Sequence, residues 1–232
     1  MSYLGSKAAS CAYQKIIANM PPHDTYIETH LGGGAIMLRK TVAIKNIGVD
    51  IDENALNDFV YANAVNQRNS SVSLVCGDAV KYLRMFDFSS AGRVLIYADP
   101  PYLPETRTSR NRYRHEYTDD DHWALIAMLR RVPARVIISG YPSARYDELL
   151  HDWRSITFQV MTRGGPRTEQ LWMNYPDGAA YSAALAGKDY IDRQRIKRKA
   201  VRWKSKYAAL PPAERLAIMT ALSEADSIAS NN

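Results

Sequence analysis

Five apolar residues, Val94-Leu95-Ile96-Tyr97-Ala98, run straight into Asp99-Pro100-Pro101-Tyr102. A short apolar run cut by an Asp-Pro break reads as a buried β-strand that stops abruptly. Two prolines then fix two backbone φ angles, so the loop beyond the strand is rigid. Its acceptors, the Asp99 carboxylate and the carbonyls beside the prolines, are held in place next to the aromatic face of Tyr102. Acceptors beside a flat ring suit a planar donor such as the exocyclic amino group of a nucleobase. The same residues also read as a plain Pro-Pro turn, with Asp99 a turn residue and Tyr102 in the core. The tetrapeptide alone leaves both open.

The flanking chain repeats the pattern. Thr25-Tyr26-Ile27-Glu28-Thr29 leads into Leu31-Gly32-Gly33-Gly34, and a helix is expected to begin at Ala35-Ile36-Met37-Leu38. Such a βα unit suits a ligand, because glycines admit a ligand close to the backbone and a helix start offers unpaired N–H groups, or the glycines are only a tight turn. Asn46-Ile47-Gly48-Val49-Asp50 is a strand ending in an acid, placed where nucleotide-type folds hold ribose hydroxyls. Asp50 or Asp52 equally suits the cap of a helix expected over 53–66. Val72–Cys76 reads as a third strand, closed by Gly77-Asp78, with a short helix over 80–86. Asp78 can cap that helix or meet an adenine ring. A helix over about 7–19, capped by Ser6, precedes the first strand.

Beyond Tyr102, an irregular loop over 103–118 carries Arg107, Arg110, Arg112 and Arg114 interleaved with Tyr113. That composition suits phosphate contact and base stacking, or a merely solvated loop. Thr118-Asp119-Asp120-Asp121 caps a helix through Arg131, with His122 in a structural position in its first turn. Ala134–Ser139 reads as a strand and Ser143–His151 as a helix. Ser155–Met161 and Glu169–Tyr175 flank a hairpin tip bearing Arg163 and Arg167. Strands alternating with helices, then a hairpin, predict an α/β fold whose sheet is mostly parallel with an antiparallel C-terminal edge. Acids that follow strands then gather at one edge of the sheet.

Composition limits the partners. The 232 residues carry a net charge of +6 and a pI near 9.2, a balance that favours a polyanionic partner. Cys11 and Cys76 lie outside any metal or disulfide pattern, so a reduced, cytoplasmic setting and no metal are expected. No signal peptide and no membrane-length apolar run is visible. Composition shifts after Asn174-Tyr175-Pro176-Asp177-Gly178, dividing a domain over 1–178 from a helical extension over 179–232. Residues 193–206 carry eight basic side chains and no acidic one, among them Arg195, Lys197, Arg198, Lys199 and Arg202. They suit a nucleic-acid-binding helix, or a solvated helix docked through Ile196 and Trp203. Pro211-Pro212 ends it, and a shorter helix is expected to about residue 223.

Taken in order, Tyr3-Leu4-Gly5-Ser6-Lys7, Glu28 to Gly34, Val49-Asp50, Gly77-Asp78, Asp99 to Tyr102 and the closing Glu169 to Tyr175 resemble the Dam-type N6-adenine-specific DNA methyltransferases. The resemblance covers roughly residues 1–176. It implies a Rossmann-like methyltransferase sheet, S-adenosylmethionine as methyl donor with S-adenosylhomocysteine as product, no metal, and DNA with a flipped adenine as partner. It puts Tyr3, Lys7, Asp50, Asp78 and Asp99 against the cofactor, and the turn containing Glu28, Gly32 and Gly34 around its methionine part. It makes Asp99, Pro100, Pro101 and Tyr102 the target-base site. There Asp99 and the Pro100 carbonyl accept the two N6 hydrogens, and Tyr102 stacks on the extruded base.

Two departures stand out. Thr29-His30 replaces the Pro and aromatic usual in the family, and Asp78 to Asp99 leaves no room for a separate target-recognition segment. The second implies short or relaxed sequence specificity, with readout falling to the 103–118 loop, the hairpin tip and the basic tail. So compact a build suits a small phage or prophage enzyme. Adenine in RNA, cytosine N4, a protein amide, or non-catalytic DNA binding on the same fold are the alternatives.

Overall fold

Apolar runs of four to six residues become strands here because helices cover both sheet faces, so no alternation with polar residues is needed. The computed structural model describes Lys7 and residues 12–65, 71–103, 115–162, 165–178 and 190–229. Its strands are β1 (Thr25–Glu28), β2 (Lys45–Asp50), β3 (Val72–Cys76), β4 (Val94–Ala98), β5 (Arg135–Gly140), β6 (Arg154–Thr162) and β7 (Gly165–Met173). Its helices are α1 (Ala12–Ala18), α2 (Glu53–Val65), α3 (Ala79–Met85), α4 (Asp119–Leu129), α5 (Ala144–Leu149), α6 (Tyr190–Ala208) and α7 (Pro212–Ala229). One seven-stranded sheet runs in the order β3-β2-β1-β4-β5-β7-β6. Strands β1 to β5 pair in parallel, and β7 pairs antiparallel with β5 and β6. This is the Rossmann-like α/β sheet expected, mostly parallel with an antiparallel hairpin at its C-terminal end.

The central strands β1 and β4 are buried along their whole length, whereas the edge strand β3 is only partly covered. Ile27, Ile96, Ala98, Val136 and Ile138 enter one core with Leu83, Leu125, Leu129 and Trp172. Period-2 alternation sends the intervening residues, Glu28, Tyr97 and Ser139 among them, to the opposite face. Strand order reverses between β1 and β4, and in open α/β sheets the crevice beyond the carboxyl ends of such a pair receives ligands. Local signals fix the helix starts. Thr118 and Asp121 form a reciprocal capping box on α4, and Asp78 and Ser143 cap α3 and α5.

Three expectations are corrected. No helix follows the glycine turn, and residues 31–40 are held instead by single turn bonds such as Gly34 N to Leu31 O and Lys40 N to Ile36 O. Gly34 has φ +61°, a left-handed conformation, and beyond it the i−4 bonds of Leu38 N to Gly34 O and Lys40 N to Ile36 O mix with the i−3 bond of Arg39 N to Ile36 O, so no regular helix forms. The hairpin strands are longer than expected and pair as far as Thr162 with Gly165, so Arg167 lies within β7 opposite Val160 and not at the tip. Pro166 is tolerated there because β5 stops pairing at Gln170, leaving that side of β7 without a ladder partner. Finally, α7 continues to Ala229, since no glycine or proline interrupts residues 213–229.

Contacts divide the chain into units 1–182 and 183–232. In the second unit, Pro212 occupies the first turn of α7, where a missing N–H costs nothing. The basic side chains Arg195, Lys197, Arg198, Lys199 and Arg202 of α6 are exposed, and so is Trp203, at 63%. Ile196 is half-buried. No helix among the described residues is long and apolar enough to cross a membrane.

A Cβ on Gly34 would lie 2.2 Å from the Phe59 ring and would also hold φ at +61°. Gly34→Ala is expected to lower stability by about 2–4 kcal/mol, read as a fallen denaturant midpoint at unchanged slope. An unchanged midpoint would mean that Phe59 moves aside without cost.

Candidate active site

Beyond the carboxyl ends of β1, β2, β3 and β4 lies a cleft of about 330 Å³, within the size range of small-molecule sites. Glu28, Gly32, Asp50, Asp78, Asp99, Pro100, Pro101, Tyr102 and Lys7 all line it, so most of the residues expected from the sequence do meet. Gly34 does not line it; its small size serves the packing against Phe59. Tyr3, Arg107, Arg110, Arg112, Arg114 and Arg163 lie outside the described residues. Arg167 is not among the lining residues either.

Asp99 is gripped from two sides. Ser139 Oγ donates to Asp99 Oδ1 at 2.8 Å, and Tyr97 OH lies 2.8 Å from Ser139 Oγ. Lys7 Nζ sits 3.1 Å from the same Oδ1 and 3.1 Å from Glu169 Oε2, and it also donates to Tyr102 OH. Tyr102 OH donates in turn to Glu169 Oε1 at 2.9 Å, while its ring stacks on Tyr141 with centroids 4.1 Å apart. Burial alone would lower the Lys7 pKa, but the Asp99 carboxylate, with Tyr102 and Glu169, outweighs it and holds Lys7 firmly protonated. Burial pushes the Asp99 carboxyl up against the opposing pull of Lys7, with Glu169 adding to the rise. Locked through Oδ1, the carboxylate leaves Oδ2 for an incoming donor.

Glu28 is 2% exposed, and burial pushes its carboxyl up to about 8 despite a 3.0 Å bond from Tyr26 OH. Asp50 accepts from Gly32 N at 2.7 Å and from Asp52 N at 2.9 Å, so it shapes the glycine turn as well as facing the cleft. Each of its oxygens retains a lone pair for a further donor. Asp52 supports α2 by accepting from Asn54 N, and Asp78 accepts from Lys81 N at 2.8 Å, so capping and cleft lining coincide there. His30, the departure noted in the sequence, lies within hydrogen-bond distance of Tyr117 OH (2.8 Å) and Thr29 Oγ1 (2.9 Å). Burial pushes it down to about 3, so it is neutral. It ties the glycine turn to the segment that opens α4. His122 is buried with Nδ1 2.7 Å from Tyr146 OH, a structural placement.

Sequence reading missed Ser139, Tyr97 and Glu169 as site residues. Ser139 is the lone polar side chain in the run Val136-Ile137-Ile138-Ser139, and Glu169 is an acid beside Gln170-Leu171-Trp172. Each was a visible polar interruption of a strand, without a local hint of its partner.

No family model and no curated protein matches the sequence. Among solved structures the chain is similar to an rRNA methylase from Streptococcus thermophilus, at 13% identity and TM-score 0.46 over 69% of this chain and 93% of that one. It is similar to M. capricolum TrmK in complex with S-adenosyl-homocysteine, at 9% identity and TM-score 0.47 over 95% and 97%. It is also similar to precorrin 8W decarboxylase from Methanobacterium thermoautotrophicum, at 12% identity and TM-score 0.45 over 69% and 86%. At such identities no residue of this chain acquires a role from the likeness.

The raised Glu28 carboxyl has a stability consequence with a definite sign. The unfolded chain releases that proton near 4.5 and the folded one near 8, so the folded state holds the extra proton in between. The contribution is fully present below 4.5 and is lost as pH rises through about 8. Glu28→Gln is therefore expected to gain stability relative to wild type as pH rises across that window, read by denaturant unfolding at several pH values. A difference independent of pH would show that Glu28 stays ionised throughout.

Proposed function

We propose that this chain transfers the methyl group of S-adenosylmethionine to the N6 amino group of adenine in DNA, with short or relaxed sequence specificity. The charge of the cleft carries the reading. Among the described residues six acidic side chains line it, the protonated Glu28 and the carboxylates of Asp50, Asp52, Asp58, Asp78 and Asp99, against the ammonium of Lys7. A phosphate-bearing ligand would be repelled, and the turn after β1 lacks the helix N-terminus that phosphate-binding turns supply. A small cation is what such a lining favours, and a sulfonium is one. Asp50 ends β2, where a ribose would need acceptors.

The cofactor supplies an electrophilic methyl group, and the remaining work falls to Asp99, Pro100 and Tyr102. The adenine N6 lone pair is delocalised into the ring and is a poor nucleophile until localised. Asp99 Oδ2 and the Pro100 carbonyl accept the two N6 hydrogens and draw the lone pair back onto nitrogen. Because Ser139 and Lys7 already hold Oδ1, that acceptor needs no reorganisation at the moment of reaction. Tyr102, braced by Tyr141 and by the Lys7–Glu169 pair, offers a fixed ring for the extruded base.

Purified protein given unmethylated genomic DNA and S-adenosylmethionine is expected to leave N6-methyladenine in short or degenerate contexts, read by base-resolved sequencing. Asp99→Ala is expected to lower the rate about 100- to 1,000-fold. Label in RNA or protein and none in DNA would overturn the substrate, and a long, strictly obeyed site would overturn the specificity.

The exposed α6 residues offer the second contact with DNA. Replacing Arg195, Lys197, Arg198, Lys199 and Arg202 by Gln is expected to flatten the salt dependence of DNA binding by about one unit of slope per lost phosphate contact. Cofactor affinity should not move. An unchanged slope would remove the tail from the interface.

A further inference from the structure

Glu169 sits on β7, 5% exposed, and does not itself line the cleft. It nevertheless bonds two residues that do, Lys7 at 3.1 Å and Tyr102 at 2.9 Å. Antiparallel pairing of Gly140 with Gln170 brings it level with Tyr141, directly behind the Asp99 loop. A lysine placed against Asp99 has an obvious use, since it orients the carboxylate and keeps it ionised. It also has a cost. One ammonium 3.1 Å from one carboxylate cancels most of the field that carboxylate projects. On the proposed reaction, positive charge resides on the sulfonium before methyl transfer and on the amine nitrogen after it, so the Asp99 end of the cleft must stay negative throughout.

We propose that Glu169 is an electrostatic positioning residue that neutralises Lys7 from behind, so that Asp99 keeps an uncancelled negative charge toward a cationic ligand. Lys7 supplies geometry and Glu169 removes the charge that comes with it. One ammonium between two carboxylates leaves the cluster with a net charge of about −1. The inference rests on the methyltransferase reading. It adds a residue whose effect depends on the charge of the cofactor and not on its shape.

S-adenosylmethionine and S-adenosylhomocysteine differ by one methyl group and the positive charge on sulfur, so their affinity ratio reads the field directly. Calorimetric titration of the full chain with each ligand separates the possibilities. Glu169→Gln keeps the shape and an acceptor for Tyr102, and it is expected to weaken the cationic ligand about 10-fold while moving the neutral one less than about 2-fold. Lys7→Gln, which leaves both carboxylates without their cation, is expected to raise the ratio above wild type. The double variant Lys7→Gln, Glu169→Gln restores the net charge while abolishing the ion pair, and its ratio should return close to wild type.

Equal weakening of both ligands by Glu169→Gln, or a double variant that keeps the lowered ratio, would make Glu169 a structural brace and overturn the inference. Should Glu169→Gln fail to fold, Lys7→Gln decides alone, since an unchanged or lowered ratio overturns it equally. A wild-type chain that binds neither ligand overturns the cofactor reading itself, an outcome distinct from a ratio that fails to shift.

Discussion

Parallel pairing of β1 with β4 decides where polar groups can gather in this molecule. The two strands run side by side with Glu28 opposite Tyr97, and their chains then part, one toward β2 and the other toward β5. Thr29 holds the fork closed at its root, its N and Oγ1 both donating to Tyr97 O. The cleft that holds Glu28 and Asp99 opens beyond this fork. Glu28 and Tyr97 occupy the same sheet face because they are register partners, and Ser139 joins them because β5 is paired with β4 in the matching phase. The pleat, acting on three separate strands, assembles the wall behind Asp99.

Such a wall is expensive. Glu28, Asp50, Asp99, Glu169 and Lys7 are each withdrawn from water, and an ionised group so placed must find partners or change protonation state. The molecule uses both answers. Lys7 is shared between two carboxylates and a phenol, while Glu28 has the Tyr26 phenol, the Met37 backbone N–H and an upward-shifted pKa. Buried ion pairs of this kind contribute little net stability. Their retention at one end of an otherwise apolar sheet marks a functional region, where the rules that stabilise the rest of the core are set aside.

Much of this was legible in the chain. Strands covered on both faces read as unbroken apolar runs, and β4 is the clearest example. Helix starts were legible because Thr118, Ser143 and Asp78 act within three residues of themselves. The acids at strand ends were legible because strand polarity puts them all on one edge. Residues 35–38 misled, since their composition suits a helix while Gly34 before them sits at φ +61° and the bonds that follow mix i−3 and i−4 spacing. Ser139 and Glu169 were illegible as site residues because their meaning is relational. Ser139 is 40 residues from the carboxylate it holds, and Glu169 is 162 residues from Lys7, so no local pattern carries either partnership.

The glycine turn after β1 carries a last consequence. Residues 31–40 form neither a regular helix nor a strand and are secured by separate turn bonds, by Leu31 N donating to Val49 O and by Asp50 accepting from Gly32 N. A backbone held this way opens piece by piece, whereas a strand such as β4 gives way only when its neighbours do. One wall of the cleft is thus a low-cost opening unit and the other belongs to the most protected part of the sheet. Entry and exit of a ligand can then proceed by local fraying on the glycine side, with amide exchange fast there and slow along β4, while the Asp99 wall keeps its shape.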